Sequence, residues 1–315
     1  MFQSHTPQTV VLSDLHLGRP GGASRAAAFE RIIGACDRLI INGDAAELHH
    51  ARFQSDAQRE LDVLRDLCAT RGVRLDFIAG NHDPFISEYR ALTLADGAIY
   101  ITHGDAFHPA VAPWSPYAAS MRATFEATLA ATAAGTPEDC ALFQAAREAA
   151  ISEWRVMGSG AHVSTISNMA VRPHRVLSVL AYWSRYSKLA ARWAARFSPR
   201  AATVIVGHSH RASISHLEGR CIVNTGAYGF PGVPHAIVID GSTVKMCRIE
   251  QAGAYYQIAT KPRAEWKISF AKGSANVART NATDGVAQSP PMGFASAATM
   301  NRAATPNASP SSDAL

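Results

Sequence analysis

Residues 78–83 read Ile-Ala-Gly-Asn-His-Asp, so that an apolar run meets an asparagine, a histidine and an aspartate in succession. Isoleucine suits the end of a buried strand, and Gly80 allows the backbone to turn sharply after it. The next three side chains are then expected at the edge of a sheet, where catalytic groups are often carried. Because asparagine and aspartate are also common turn formers, this stretch indicates a site only if the pattern recurs.

The pattern of an apolar run followed by polar side chains recurs four more times along the chain. The further runs are residues 8–13, 37–41, 98–102 and 202–206. Each is short enough for a buried strand, and residues 24–36 and 54–71 between them have helical spacing. Strands that alternate with helices predict an α/β domain, in which sites gather at the carboxyl ends of the strands.

The predicted strand ends carry seven side chains of metal-binding type. They are Asp14, His16, Asp44, Asn81, His103, His208 and His210. Imidazoles mixed with carboxylates and an amide oxygen suit Mn, Fe or Zn better than Ca or Mg. Seven ligands are too many for one ion and suit two ions that share a carboxylate. Taken singly, each would more often be a turn or cap residue, so the prediction rests on their recurrence.

Five motifs, in this order, resemble those of the calcineurin-like metallophosphoesterase family. They are Asp14-x-His16, Gly43-Asp44, Gly80-Asn81-His82-Asp83, His103-Gly104-Asp105 and Gly207-His208-Ser209-His210. The resemblance covers about residues 8–250 and implies an α/β fold, a four-layer α/β/β/α sandwich with a dinuclear centre on the strand ends. It also implies a distribution of ligands: Asp14, His16 and His210 on one metal, Asn81, His103 and His208 on the other, and Asp44 as the bridge.

The resemblance further implies a proton donor beside the two metals. His82 takes no metal in that family; it contacts the phosphate and protonates the leaving oxygen, while Asp83 orients it. An imidazole between cations and anions is expected to titrate near neutrality. We expect Glu47 and Asp105 to hold ligand histidines rather than metal. The expected contacts to substrate are Asn81, His82 and Arg211, with a surface salt bridge as the alternative for the arginine.

Length and composition predict a soluble globular protein. A chain of 315 residues, 47 % of them hydrophobic, can bury a large core. We expect a cytoplasmic location, because residues 1–8 lack the features of a signal peptide and no apolar run reaches the ~18 residues of a membrane span. The five cysteines form no Cys-x-x-Cys pair and are expected to be reduced.

Composition also predicts the division of the chain. We expect a metallophosphoesterase core in residues 1–108 and 199–250, and a helical insertion in residues 109–198 that serves as a lid or as a lipid contact. Residues 271–315 are rich in Ala, Ser, Asn, Thr and Pro and poor in large apolar residues, so we expect a disordered tail.

Within the insertion, residues 173–197 predict a basic amphipathic helix. Its apolar stripe consists of Val179, Trp183, Tyr186, Ala190, Trp193 and Phe197, and the basic flank of Arg185, Lys188, Arg192 and Arg196. Such a helix suits peripheral contact with an anionic membrane, or a pocket for a lipid attached to a phosphate. The alternative is a helix that packs on the body with a solvated basic edge.

The place of this insertion is similar to that in the UDP-2,3-diacylglucosamine hydrolases, which cleave a pyrophosphate in a nucleotide-linked lipid during lipid A synthesis. The resemblance implies a dinuclear hydrolase that cleaves a phosphoanhydride or phosphodiester by metal-activated hydroxide attack, with Mn preferred and Fe, Zn, Ni or Co as alternatives. A generic phosphodiesterase, phosphatase or nuclease stays open. A non-catalytic scaffold would usually lose ligands, and none is missing. A net charge of only +5 argues against a nucleic-acid partner.

Overall fold

The structure, a computed structural model, describes residues 8–158, 173–229 and 232–268. The tail predicted at residues 271–315 therefore lies outside the described residues. Within the described ranges the chain forms two β-sheets and five α-helices.

The first sheet brings together the early strands and the last strands of the described chain. Its strands are β1 Gln8–Leu12, β2 Arg38–Asn42, β3 Arg74–Ile78, β9 His235–Asp240, β10 Thr243–Ala252, β11 Tyr255–Ile258 and β12 Ala264–Lys267. The order is β11-β10-β9-β1-β2-β3, and β12 pairs with β10. Because β1, β2 and β3 run parallel, the segments that follow them leave the sheet at the same edge.

The second sheet combines strands from both sides of the insertion. Its strands are β4 Ala91–Leu94, β5 Ile99–Thr102, β6 Thr203–Val206, β7 Ser213–Leu217 and β8 Arg220–Asn224, in the order β4-β5-β6-β8-β7. Strands β5, β6 and β8 run parallel, so the segments after β5 and β6 also leave at one edge. The sheet thereby joins residues that lie about a hundred positions apart in the sequence.

The helices cover the outer faces of the two sheets. They are α1 Glu30–Ile33, which follows a 3-10 turn at Ala26–Phe29, α2 Gln54–Thr70, α3 Ala118–Ala131, α4 Glu138–Gly158 and α5 Pro173–Phe197. The elements α1 and α2 share an apolar core with the first sheet, and α3, α4 and α5 share one with the second. A third core of Val11, Ile40, Ile101, Ile205 and Ile237 lies between the sheets.

The alternation of strand side chains accounts for these layers. In β1, Val10 and Leu12 belong to the helix-covered core, whereas Val11 belongs to the core between the sheets. A strand with both faces buried is expected to be apolar throughout, which is what residues 10–12 show. The predicted four-layer α/β/β/α architecture is thus confirmed.

Four strands were not predicted, and all are short. They are β4, β7, β11 and β12, each at a sheet edge or off the main strand order. Each has only four or five residues, most of them not fully buried, so these strands depend on hydrogen bonds to a neighbouring strand that the local pattern does not reveal. The predicted helix at residues 24–36 is also shorter, because only Glu30–Ile33 continue as α-helix after the 3-10 turn.

Helix α5 has the predicted bounds, and its apolar stripe packs inside the fold. Val179, Tyr186, Ala190 and Trp193 are buried, and the last three share a core with the second sheet. Its flank of Arg185, Lys188, Arg192 and Arg196 is exposed. The apolar stripe therefore packs on the body of the protein, which is the alternative to a membrane or lipid contact for this face of the helix. Within the described part of the chain, no helix is long and apolar enough to cross a membrane.

Candidate metal centre

Backbone hydrogen bonds continue the strand pairing beyond the strand ends. Asp14 N donates to Gly43 O at 3.1 Å and His16 N donates to Asp44 O at 2.9 Å, so the segments after β1 and β2 run side by side. Across the second sheet, Gly207 N donates to His103 O at 3.1 Å. Histidines and aspartates from four strand ends are thereby brought into one cluster.

The first group in this cluster consists of Asp14, His16, Asp44 and His210. One ligand atom from each lies within 4.8 Å of the others. His16 Nε2 is 3.1 Å from His210 Nε2, and His210 Nε2 is 3.3 Å from Asp14 Oδ1. Two imidazole nitrogens and a carboxylate oxygen that converge in this way fit a divalent cation. The composition is the one that the resemblance implies for the first metal and the bridge.

The second group consists of Asp44, His103 and His208, and it shares Asp44 with the first. His103 Nε2 lies 3.3 Å from Asp44 Oδ2, while its Nδ1 donates to Asn42 O at 2.9 Å. His208 Nε2 donates to Val111 O at 2.9 Å, which leaves Nδ1 as the metal-binding atom. These hydrogen bonds select the ring nitrogen that faces the cluster.

The amide of Asn81 completes the predicted ligand set. Asn81 Oδ1 is buried, and no described residue donates a hydrogen bond to it. Buried acceptors without a partner are costly unless a further group binds them. A divalent cation would satisfy this oxygen, so the residues present fit the metals that the resemblance implies.

The backbone of the cluster is held in an unusual conformation. Five predicted ligands have positive φ: Asp14 at 51°, His16 at 49°, Asp44 at 51°, His208 at 64° and His210 at 58°. This left-handed region costs a non-glycine residue roughly 1–3 kcal/mol. Only nine non-glycine residues of the described chain adopt it. Such concentration is typical of a functional site, where the surrounding fold imposes the conformation.

Two motif glycines allow the ligands to approach the backbone. A Cβ atom at Gly80 would lie 2.2 Å from Asp44 Oδ1, and one at Gly43 would lie 2.2 Å from His103 Nδ1. Both distances are far below van der Waals contact. The glycines are therefore required by space, and at Gly43 also by a φ of 78°.

Burial and neighbouring charges set the protonation of the cluster. Burial lowers the pKa of both His16 and His208 to about 4, so each is neutral at neutral pH, the form that binds metal. Burial opposes the charged form of His103 as well, but the Asp44 carboxylate raises its pKa to about 10. Burial would raise the pKa of Asp44, yet the histidines, His103 foremost, hold it well below its usual value. A cation at His103 must therefore displace a proton.

His82 lies at the edge of this cluster, as expected of a proton donor. Its Nε2 is 4.0 Å from Asp44 Oδ2, and its ring stands edge-on to His16 with centroids 4.8 Å apart. Its Nδ1 makes a 2.6 Å hydrogen bond with Glu47 Oε1. Burial lowers the pKa of His82, but Glu47 and Asp44 raise it to about 9, above the near-neutral value expected from the sequence. The protein groups by themselves therefore favour the imidazolium.

The expectation that Asp83 orients His82 is wrong. The Asp83 carboxylate accepts hydrogen bonds from the backbone N–H groups of Gly80 at 2.8 Å, Ala45 at 2.6 Å and Asp44 at 3.2 Å. It thus ties the turn after β3 to the segment after β2. A carboxylate occupied by three backbone donors is directed away from the adjacent side chain, and Glu47 takes the place next to His82.

The expectations for Glu47 and Asp105 have opposite outcomes. Glu47 Oε2 lies 3.3 Å from His16 Nδ1, so it does contact a ligand histidine. Asp105 instead forms a buried ion pair with Arg90. This pair compensates the charge of the buried guanidinium. Arg211 is exposed and forms no ion pair with another described residue, so its contact with phosphate stays a prediction.

Several residues around the cluster were not identified from the sequence. Tyr186 of α5 places its hydroxyl 2.9 Å from Gly207 O and 3.2 Å from His103 O, and thereby joins the two segments that follow β5 and β6. The ring of Trp114 packs on His208 with centroids 5.0 Å apart. Closer in sequence, His49 Nδ1 lies 3.0 Å from Glu47 Oε1. No local pattern marks Tyr186 or Trp114, because each acts across elements distant in sequence.

Comparison with known proteins gives remote similarities to solved structures. No family model and no curated protein matches the chain. A dimetal phosphatase from Danio rerio is 11 % identical, covers 84 % of this chain and 99 % of its own, and has a TM-score of 0.41. YfcE, a phosphoesterase from E. coli, is 11 % identical, with 83 % and 100 % covered and a TM-score of 0.39. Vps29 from Entamoeba histolytica, complexed with zinc, is 11 % identical, with 81 % and 98 % covered and a TM-score of 0.39.

These similarities are too remote to carry an inference about activity, so the fold is assigned from the molecule itself. Two facing sheets, each covered by helices on its outer side, place five motifs at the carboxyl ends of their strands. Two groups of potential ligands that share Asp44 lie at those ends. The chain thus has the four-layer α/β/β/α fold that its motif resemblance implies, with the candidate ligands at one edge of the two sheets.

Proposed function

We propose that the protein is a two-metal hydrolase that cleaves a phosphate ester or phosphoanhydride. The observation that carries this proposal is the sharing of Asp44 between two groups of ligand atoms, each group lying within 4.8 Å. Two cations held there would bind phosphate oxygens and lower the pKa of a water molecule between them. Asp14, His16 and His210 would hold one cation, and Asn81, His103 and His208 the other.

The protein groups around the cations supply the remaining requirements of hydrolysis. Burial lowers the pKa of His82, but the carboxylates of Glu47 and Asp44 raise it to about 9. The imidazole therefore keeps its proton at neutral pH. Its Nε2 faces the cluster, so the proton is held where a leaving oxygen would depart. Arg211 is proposed to reach a phosphate oxygen from the exposed side, because it follows the ligand His210.

The donor set supports a borderline transition metal. Imidazole nitrogens and carboxylate oxygens converge, and all five cysteines are free, with none in either ligand group. We propose Mn as the native metal, with Fe, Zn, Ni and Co as alternatives, because such mixed ligands suit these ions better than Ca or Mg. Metal analysis of the purified protein, with its content compared after reloading with each ion, tests this assignment.

A lipid-linked nucleotide such as UDP-2,3-diacylglucosamine is the substrate that we propose within this class. A cavity of about 600 Å³ lies between α3, α5 and the segment after β5. Its lining includes Ala110, Pro113, Tyr182, Leu189, Arg122 and Arg185. The same segment carries Val111, whose carbonyl binds His208, so the cavity lies near the metal centre. Apolar walls with arginines support an anionic molecule that carries an alkyl chain.

Peripheral contact with a membrane would use the basic edge of α5 and not its apolar stripe. Arg185, Lys188, Arg192 and Arg196 are exposed, whereas the stripe lies in the core that α5 shares with the second sheet. Four cations on one edge support attraction to anionic lipids. Binding to vesicles of anionic and of neutral lipids, compared at low and high salt, tests the contact.

A substrate panel tests the proposed function. Protein stripped with EDTA and reloaded with Mn is incubated with a nucleotide-diphosphate lipid, a bis-aryl phosphodiester, a phosphomonoester, a cyclic nucleotide and an oligonucleotide, and products are followed by phosphorus NMR. We expect turnover that Asp44→Ala or Asn81→Ala abolishes. Activity confined to the oligonucleotide or the cyclic nucleotide would identify a nuclease or a phosphodiesterase and would refute the lipid substrate. No activity on any ester with two metals bound would refute the hydrolase itself.

A further inference from the structure

Glu47 is the carboxylate around which the charged groups beside the metal centre are arranged. It follows Asp44 by three residues and is buried, with 3 % of its surface exposed. Its two oxygens face different partners. Oε1 lies 2.6 Å from His82 Nδ1 and 3.0 Å from His49 Nδ1, and Oε2 lies 3.3 Å from His16 Nδ1 and 3.0 Å from Arg19 Nη1.

The backbone fixes Glu47 in this place. Beyond the ends of β1 and β2, Leu17 N donates to Ala45 O at 3.0 Å, and Glu47 N donates to Leu17 O at 3.0 Å. This short parallel ladder sets Glu47 beside His16, and the hydrogen bond from His82 N to Asp44 Oδ1 at 2.9 Å sets the histidine opposite. The carboxylate is therefore positioned before any substrate binds.

From this geometry we infer that Glu47 is a positioning residue: one oxygen fixes the ring of the proton donor His82, and the other fixes the ring of the metal ligand His16. The inference rests on the proposed hydrolytic function, which requires both histidines. The bond to His82 directs Nε2 toward the cluster, and the contact with His16 Nδ1 leaves its Nε2 to face His210. One side chain thereby aligns the proton donor with the metal site.

The chemistry of the partners favours a carboxylate of this length. Four nitrogen atoms converge on its two oxygens, and an amide presents only one acceptor oxygen. An aspartate at this position would withdraw both oxygens by one methylene. The ring of His49 packs against His82, with centroids 4.4 Å apart, and against Trp154 of α4, with centroids 5.5 Å apart. The helical insertion therefore supports the Glu47 cluster through His49.

The inference is tested with Glu47→Gln, which keeps the size of the side chain. Asp56→Asn is the matched control, since it makes the same change at an exposed carboxylate of α2. Each protein is loaded with Mn, its metal content is measured, and kcat is compared for an alkyl ester and a 4-nitrophenyl ester of the same phosphate. A misplaced proton donor slows departure of the poor leaving group selectively.

We expect Glu47→Gln, saturated with Mn, to lower kcat for the alkyl ester by about 100-fold and for the nitrophenyl ester by less than about 10-fold, as loss of a general acid predicts, and to need more Mn for saturation, because His16 loses its partner. The control should match the unmodified protein. An equal loss for both esters, or no loss, would overturn the inference. If Glu47→Gln does not fold, Glu47→Asp gives the same comparison, because it keeps the charge and shortens the reach.

A second readout separates this inference from the proposed function. In proton NMR spectra of the nitrogen-15-labelled, EDTA-treated protein, the signal of the Nδ1–H proton of His82 should appear far downfield. This signal should be lost in Glu47→Gln. If the unmodified protein hydrolyses no ester, the proposed function fails, while this signal still decides whether Glu47 holds His82. Absence of the signal in the unmodified protein would refute the positioning role.

Discussion

Two tyrosines on consecutive turns of α5 offer a controlled test of how the insertion holds the metal centre. Tyr186 and Tyr182 are both buried, with 3 % and 6 % of their surface exposed. The Tyr186 hydroxyl lies 2.9 Å from Gly207 O and 3.2 Å from His103 O. The Tyr182 hydroxyl is buried without a hydrogen-bond partner among the described residues. Replacing each by phenylalanine removes one oxygen from similar surroundings with opposite consequences.

The magnitude follows from the partners that remain. Without the Tyr186 hydroxyl, Gly207 O still accepts from Asn224 Nδ2 at 2.7 Å, and His103 O still accepts from Gly207 N at 3.1 Å. Neither carbonyl is left unsatisfied, so the cost lies near that of one ordinary hydrogen bond, about 1 kcal/mol. Tyr182→Phe removes a buried polar group without a partner, so it should leave the free energy of unfolding unchanged or raise it by up to ~1 kcal/mol.

Urea unfolding of both variants, followed by circular dichroism, measures these differences. We expect Tyr186→Phe to lower the free energy of unfolding by about 1 kcal/mol and the midpoint temperature by about 2–4 °C. It should also weaken metal binding, because the segments that carry His103 and His208 lose one of the contacts that join them. If Tyr182→Phe proves as destabilising as Tyr186→Phe, the hydroxyl of Tyr186 does not anchor these segments and the reasoning is refuted.

Three further predictions follow from the centre. Gly80→Ala should reduce activity by at least ~100-fold and should also lower the free energy of unfolding, because its methyl would lie 2.2 Å from Asp44 Oδ1 and 2.6 Å from the backbone nitrogen of Asp44; Gly34→Ala, where the nearest atom is the flexible tip of Arg71 at 3.1 Å, should be neutral in both assays. In EDTA, the stability that His82 contributes should be complete below about pH 6.5 and should disappear as pH rises through about 9, because Glu47 and Asp44 raise its folded-state pKa. Urea unfolding of the unmodified protein and of His82→Gln should therefore converge at high pH, and a constant difference would contradict the pKa. Calorimetry should show that Mn raises the midpoint temperature, by an amount equivalent to about 2.7 kcal/mol at a hundredfold excess over Kd, and that Asp14→Asn with Asp44→Asn removes the effect; an equal shift in that double variant would place the metal elsewhere.

Local sequence patterns were enough to predict the strands that carry the ligands. A single apolar run that meets Asp14, Asp44 or His103 could end in an ordinary turn, but five such runs in one chain indicate buried strands that end at a site, because both faces of such strands are covered and therefore apolar. The helix at residues 173–197 was predicted to its bounds for a similar reason, since its apolar residues recur at spacings of three and four.

The partners of these residues were decided by the tertiary structure. The sequence places Asp83 beside His82, yet its carboxylate accepts hydrogen bonds from Gly80, Ala45 and Asp44, and Glu47 holds the histidine from another strand end. The side chain of a neighbour in sequence can point away, whereas a residue 35 positions distant can lie within 2.6 Å.

The sequence by itself therefore determined which side chains reach the edge of the sheets, because apolar periodicity reflects burial and burial is a local property of each strand. Only the tertiary structure decided which of them touch: the pairing of β1 with β2 sets Glu47 against His16, and the packing of α5 on the second sheet sets Tyr186 between His103 and Gly207. Such contacts depend on the register between distant segments, and that register is fixed by the packing of the whole core.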